Sequence, residues 1–99
     1  MMEHRLDNRI QAPINVAIHT DKGSTFKTHA NNLSRGGMSV ELETAWGIKE
    51  RKLVLVEFME ERLSTKIPAM VMHTTGISAS LMFVEFSREL HSYLSNRNK

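Results

Sequence analysis

The chain of 99 residues and 11.3 kDa suits one small domain and is too short for two, because single domains commonly contain about 100 to 150 residues. Hydrophobic residues make up 40% and charged residues 24% of it, which excludes a disordered or fibrous protein. The net charge is only +2, and the lack of cysteine excludes disulfide frameworks, thiolate metal sites and cysteine nucleophiles.

The amino-terminal sequence lacks the apolar core of a signal peptide, since it carries Glu3, Arg5, Asp7 and Arg9. We therefore expect the protein in the cytoplasm, where the absence of cysteine is also ordinary. The longest apolar stretch, residues 53–59, is far shorter than the roughly 20 residues of a membrane-spanning helix. Residues 1–37 hold five Lys and Arg against three Asp and Glu, whereas the remainder holds eight of each. An anion site is therefore expected in the amino-terminal third.

Apolar residues that alternate with polar or small ones predict a succession of short strands. In the first, Ile14, Val16 and Ile18 repeat with the period of a half-buried strand. Gly23 favours a hairpin turn after this strand, because glycine tolerates the positive φ that such turns require. Continued along the chain, the pattern predicts strands over residues 14–19, 25–30, 38–43, 52–59, 67–74 and 77–86.

The fourth of these strands has a near-continuous apolar run, which predicts burial on both faces. In the fifth, Pro68 indicates an edge or bulge position, because proline lacks the backbone N–H. Methionines commonly fill gaps in protein interiors. Those expected in the core are Met38, Met59, Met70, Met72 and Met82.

A short helix is predicted at the carboxyl end, over about residues 87–97. Ser87 is a suitable N-cap, and Leu90, Tyr93 and Leu94 follow at helical spacing. No helix separates consecutive strands, so the predicted fold class is all-β, a six-stranded antiparallel β-barrel with a short C-terminal α-helix. Residues 1–12 are predicted to be a flexible lead for ligand binding, and residues 13–99 a single barrel domain.

No catalytic or metal-binding arrangement is recognisable in the sequence, so we expect neither an enzyme nor a metal site. Ser34 does not lie in a G-x-S-x-G motif that would indicate a nucleophile. The histidines have none of the spacings of metal-binding motifs. They are His4, His19, His29, His73 and His91.

Two segments carry the side chains best suited to an anionic ligand. Arg5 and Arg9 lie on one side of the chain whether the lead is helical or extended, and arginine binds phosphate bidentately and stacks on aromatic faces. Residues 32–37 read N-L-S-R-G-G. In an extended chain, Asn32 and Ser34 would present an amide and a hydroxyl on one face. Each segment alone also fits a plainer role, as a solvated tail and as an ordinary turn.

Together, and in this order ahead of this strand pattern, the two segments resemble the signature of the PilZ domain family, the bacterial receptor module for cyclic di-GMP. That signature, R-x-x-x-R followed by [D/N]-x-S-x-x-G, stands here as R-L-D-N-R over residues 5–9 and N-L-S-R-G-G over residues 32–37. The resemblance covers nearly the whole chain, because the family is a six-stranded barrel closed by a C-terminal helix. Asn32 replaces the commoner Asp. Ser80 stands where a G-x-x-F pattern often has glycine, a departure expected to affect barrel packing.

The resemblance implies a role for each matched residue. Arg5 and Arg9 would clasp phosphates and guanine faces, Asn32 and Ser34 would bond guanine edges, and Gly37 would keep the loop open. In the family, the residue before the first arginine bears on whether one or two ligand molecules bind. Further candidates for ligand contact are His4, Arg35 and Gly36.

The implied protein is a cyclic di-GMP receptor without cofactor or catalysis, which acts on an unidentified protein effector when its lead becomes ordered. One alternative is a PilZ-like adaptor that binds proteins but no nucleotide. Another is a small-barrel binder of single-stranded RNA or DNA, which should display aromatic stacking platforms. Aromatic residues are only 6% of the chain, and Phe58, Phe83 and Phe86 fall in predicted core strands, so nucleic acid is the less favoured partner.

Overall fold

The computed structural model of the protein describes residues 13–41, 47–75 and 77–97. The predicted ligand-binding lead, residues 1–12, lies outside the described residues, and with it His4, Arg5 and Arg9. The roles predicted for these three side chains therefore stay predictions.

The strands form a closed antiparallel barrel. Around it they follow the order β1-β2-β3-β6-β5-β4, and β4 pairs with β1 to close the ring. The predicted fold class, an all-β six-stranded antiparallel barrel with a short C-terminal helix, is confirmed. In chain order the elements are β1 (Ile14–His19), β2 (Thr25–Asn31), β3 (Gly37–Glu41), β4 (Leu53–Phe58), β5 (Lys66–Thr75), β6 (Ser78–Phe83) and α1 (Arg88–Arg97).

Alternate side chains of the strands fill the barrel, as the period of two predicts. Val16 and Ile18 of β1 are almost completely buried. Ala17, which the alternation places outside, is also buried. It stands between Lys27 of β2 and Glu57 of β4, and a single methyl group between two long side chains is easily covered.

Strand β4 is buried on one face, not on both as its apolar run predicts. Val54, Val56 and Phe58 point inward and are buried, whereas Leu55 is half-buried and Leu53 is 55% exposed. A barrel wall has only one interior face, and no other described element covers the outer face of β4. Apolar composition here does not produce burial.

The methionines follow the same geometry. Met38 is buried, as predicted, and Met70 is half-buried. Met59, Met72 and Met82 are exposed, so the prediction that they fill the core is wrong. Met82 lies on the outward side of β6, so its side chain does not take part in the packing of the interior.

Strand β6 ends at Phe83, three residues before the predicted boundary, because the chain leaves the barrel there to begin the helix. Val84 still donates its N–H to the carbonyl of Pro68 at 3.0 Å. In an antiparallel ladder the N–H and C=O of one residue point to the same side. The carbonyl of Pro68 and its missing N–H therefore both face Val84, and this pair, just beyond the end of β6, makes only one of the two hydrogen bonds of a ladder pair.

Helix α1 closes one end of the barrel. The hydroxyl of Ser87 accepts a hydrogen bond from the N–H of Leu90 at 3.1 Å, which confirms the predicted N-cap. Leu90, Tyr93 and Leu94 are buried and belong to the same hydrophobic core as the inward residues of the strands. The helix is thereby held at a fixed position beside the β2–β3 loop.

Candidate ligand-binding site

The sequence predicts ligand contacts in the loop between β2 and β3, residues 32–36, and at Gly37, the first residue of β3. Asn32 has a φ of 53°, a left-handed conformation that asparagine tolerates better than most residues. It is exposed, whereas Ser34 is only 6% exposed. The prediction that these two side chains share one face of an extended chain is therefore wrong, because the backbone turns at Asn32.

The hydroxyl of Ser34 is engaged inside the loop. Its Oγ accepts a hydrogen bond from the N–H of Gly36 at 3.3 Å and donates to the carbonyl of Gly37 at 3.4 Å. The backbone N–H of Ser34 also donates to the carbonyl of Gly37, at 2.9 Å. In this structure Ser34 holds the shape of the loop.

The two glycines attach the loop to β6. Gly36 is exposed, and its carbonyl accepts a hydrogen bond from the N–H of Phe83 at 2.9 Å. Gly37 is the first residue of β3 and pairs with Met82, and a Cβ at this position would collide with the carbonyl oxygen of Leu81. Gly37 therefore permits the close approach of two strands, a packing requirement that the predicted open loop did not include.

Arg35 extends from the same loop toward helix α1. Its Nη1 lies 3.5 Å from Nε2 of His91, and the ring of Phe86 meets the edge of His91 with ring centroids 5.8 Å apart. The motif loop thus touches both the barrel wall and the helix.

Beside Asn32, an open polar groove runs along the outside of the barrel where β3 pairs with β6. Its volume is about 360 Å³, within the range of about 300 to 1,000 Å³ that is usual for small-molecule sites. Ser39 lies directly across from Ser80, and Glu41 lies across from Ser78. The side chains that line the groove belong to Asn31, Asn32, Ser39, Glu41, His73, Ser78 and Ser80.

Hydrogen bonds within the groove hold the amide of Asn32 and the hydroxyl of Ser39 in place. Nδ2 of Asn32 donates to Oγ of Ser39 at 3.5 Å, and Oγ of Ser39 donates to the carbonyl of Asn31 at 3.2 Å. On the far side, Nδ1 of His73 lies 3.5 Å from a carboxylate oxygen of Glu50. The groove therefore offers several neutral donors and acceptors, one carboxylate and one imidazole, which suits the edge of a heterocyclic base.

Of the described residues predicted to bind ligand, Asn32 lines this groove. Ser34 lies inside the loop, and Arg35 reaches toward α1. Ser39 and Ser80 were not predicted as site residues. Their outward direction could be read from alternation with Met38 and Leu81, but their proximity depends on the pairing of β3 with β6, which are about forty residues apart. Ser80 is exposed in the groove, so its predicted effect on barrel packing is wrong.

Among the residues that the structure describes, no three His, Asp or Glu side chains are grouped as metal ligands. Within the same ranges, no helix has the length and apolar character needed to cross a bilayer.

Comparison with known proteins agrees with this geometry. The PilZ domain family matches residues 3–96 of the chain. No curated protein matches it in sequence. Among solved structures, the PilZ domain with c-di-GMP of YcgR from Escherichia coli superposes with a TM-score of 0.74 at 22% identity, over 96% of this chain and 88% of that one.

Two further structures have the same fold. The PilZ domain of CeSA from a cellulose-synthesising bacterium gives a TM-score of 0.74 at 17% identity, over 92% of this chain and 98% of that one. The Bacillus subtilis inhibitor of motility, MotI/DgrA, gives 0.73 at 18% identity, over 97% of this chain and 49% of that one. At these identities the likeness concerns the fold, whereas the family match extends over almost the entire sequence. The chain belongs to the PilZ domain family.

Proposed function

We propose that this protein is a cytoplasmic cyclic di-GMP receptor that signals through a protein partner. The observation that carries the proposal is the position of Asn32, the first residue of the N-x-S-x-x-G motif, on the rim of a polar groove. The fold neighbour from Escherichia coli is described with c-di-GMP, which makes this nucleotide the first ligand to test.

The chemistry of the groove suits a guanine base. Guanine presents O6 and N7 as acceptors and an exocyclic amino group as a donor. The amide of Asn32 and the hydroxyls of Ser39 and Ser80 can both donate and accept, so they can pair with either kind of group. Two guanines and two phosphates in one small ligand also need positive charge.

In our proposal that charge comes mainly from Arg5 and Arg9, with Arg35 and His4 as further contributors. Arginine is suited to this role because its planar guanidinium binds phosphate through two hydrogen bonds and stacks on a base. Ser34, Gly36 and Gly37 support the loop that carries Asn32. The lead, residues 1–12, becomes ordered over the ligand and presents a changed surface to the partner.

Isothermal titration calorimetry tests the proposal directly. We expect cyclic di-GMP to bind with a Kd in the micromolar range, and GTP and a short single-stranded RNA to bind far more weakly. Arg5→Ala and Arg9→Ala should each weaken binding about tenfold or more, since a charge-assisted hydrogen bond is worth roughly 1.5 to 3 kcal/mol. Arg62→Ala, which removes the same charge from the exposed β4–β5 turn, is the matched control.

The same titrations decide between the alternatives. No heat with any nucleotide would favour a protein-binding adaptor, and tighter binding of RNA than of cyclic di-GMP would favour a nucleic-acid binder. Hydrogen exchange of residues 1–12 with and without cyclic di-GMP tests the ordering step, because protection should appear only with the ligand. Equal exchange in both states would contradict that step alone.

A further inference from the structure

The carboxylate of Glu41 lies at the end of the polar groove that is farther from the motif loop. The strand register places Glu41 between His29 of β2 and Ser78 of β6, two residues along β3 from Ser39. Its backbone carbonyl accepts a hydrogen bond from the hydroxyl of Thr28, but its carboxylate makes no hydrogen bond or ion pair within the part of the chain that the structure describes. Glu41 therefore offers two acceptor oxygens to a ligand in the groove.

The remainder of the groove can donate hydrogen bonds. Ser78 lies directly across from Glu41, and Ser80 lies across from Ser39. The hydroxyls of Ser78 and Ser80 make no hydrogen bond within the described ranges. Asn32 uses one of its two amide hydrogens on Ser39, so the other is available to a ligand. The groove thus has a group that only accepts at one end and donors along the rest of its length.

This arrangement matches a guanine base in one orientation. Guanine carries two neighbouring donors, N1–H and the exocyclic amino group, and it carries its acceptors O6 and N7 toward the other side of the ring system. Ser39 and Glu41 are two residues apart along β3, about 7 Å, which is comparable to the length of a purine. A guanine that donates to Glu41 can therefore present its acceptors to Asn32 and Ser80.

The negative charge of Glu41 decides which part of the ligand can lie at this end. A phosphate there would be repelled, so the phosphates belong near the motif loop. The lead also joins the barrel at that end, because Ile14 pairs with Ala30, two residues before Asn32. Adenine has an acceptor at N1 where guanine has a donor, so it would place a lone pair against the carboxylate.

We propose that Glu41 selects guanine, by accepting hydrogen bonds from N1–H and the exocyclic amino group of one base of cyclic di-GMP. The inference rests on the proposed function, since it concerns how the same groove reads that ligand. Glu41 lies four residues beyond the N-x-S-x-x-G motif, so the motif itself does not include it. Two hydrogen bonds to one base discriminate against the wrong base by about five- to a hundredfold.

Calorimetric titration of the full chain and of Glu41→Gln tests the proposal. Glutamine keeps the length of the side chain, removes the charge and replaces one acceptor by a donor. Cyclic di-GMP should bind Glu41→Gln at least about tenfold more weakly than the native chain. Cyclic di-AMP should bind the variant as well as the native chain or better, because a glutamine amide can pair with adenine. Glu61→Gln, the same change in the exposed β4–β5 turn, is the matched control.

The analogue cyclic di-IMP tests the contact with the exocyclic amino group, which its bases lack. It should bind the native chain about tenfold more weakly than cyclic di-GMP does. In Glu41→Gln the difference between the two nucleotides should shrink to about threefold or less, because the charged partner of the amino group is gone. An unchanged difference would exclude a hydrogen bond between Glu41 and that group.

The outcomes separate this inference from the proposed function. Circular dichroism establishes that Glu41→Gln is folded. Full affinity of the folded variant for cyclic di-GMP, a loss by the same factor for all three nucleotides, or an equal loss in Glu61→Gln would overturn the role of Glu41 and leave the proposed function intact. A native chain that does not bind cyclic di-GMP would overturn the proposed function, and this inference with it.

Discussion

A Cβ atom at Gly37 would lie 2.2 Å from the carbonyl oxygen of Leu81. Strands β3 and β6 approach closely at this point, where the motif loop joins the barrel wall. A Cβ at the adjacent Gly36 would meet nothing within 4 Å. Steric contact with β6 therefore requires glycine at position 37, whereas no steric contact requires it at position 36.

This difference predicts opposite results for two neighbouring substitutions. Gly37→Ala should lower the free energy of unfolding by about 1 to 3 kcal/mol, because the backbone of β6 has to move. Gly36→Ala should change it by no more than about 0.5 kcal/mol. Thermal unfolding followed by circular dichroism measures both, and about 4 to 8 °C of Tm is expected for each kcal/mol in a domain of this size. Equal melting temperatures for the two variants would contradict the steric role of position 37.

Ser34→Ala should destabilise the motif loop and weaken nucleotide binding as a consequence. The substitution removes the hydrogen bond from the N–H of the exposed Gly36, at an expected net loss of about 0.5 to 1.5 kcal/mol. The affinities for cyclic di-GMP and cyclic di-AMP should fall by similar factors, together with the Tm. An unchanged Tm with loss of discrimination between the two nucleotides would instead show that Ser34 reads guanine directly.

At position 32 the side chain and the backbone can be tested separately. Asn32→Gly removes the amide but keeps the left-handed backbone accessible, so we expect weaker cyclic di-GMP binding with little change in Tm. Asn32→Ala adds backbone strain of roughly 1 to 2 kcal/mol and should lower both. Calorimetry and thermal unfolding of the two variants distinguish these effects. Full affinity in Asn32→Gly would exclude the amide as a ligand contact.

Ser80 provides a test of the groove itself. Ser80→Ala should leave the fold unchanged, because the side chain is exposed, and should weaken cyclic di-GMP binding by a few-fold through the loss of one hydrogen bond. Ser92→Ala, at an exposed position of α1, serves as the control. Identical titration curves for both variants would mean that the ligand does not reach the β6 side of the groove.

The strands were predictable because their pattern is local. Alternation located β1 to within a residue, and the N-cap rule located the start of α1 at Ser87. The outer surface was not predictable in the same way. An apolar run such as that of β4 does not tell whether a second layer covers it, and in this barrel the outward Leu53 is exposed.

The candidate site was predictable only in part, for a related reason. The motif identified Asn32 and its loop, because the five matched residues lie in two short segments. The hydroxyls of Ser39 and Ser80 became neighbours through the pairing of two strands distant in sequence. The packing requirement at Gly37 depends on the position of Leu81, which no local pattern contains.

The strand order also divides the barrel into two meanders, β1-β2-β3 and β4-β5-β6, which meet where β3 pairs with β6 and where β1 pairs with β4. Ser39 belongs to one meander and Ser80 to the other, so neither meander contains the groove by itself. A nucleotide bound there would link the two, and it would favour their association by about 2.7 kcal/mol at a hundredfold excess over its Kd. In a chain cut between residues 44 and 45, binding of the nucleotide would be coupled to association of the two fragments.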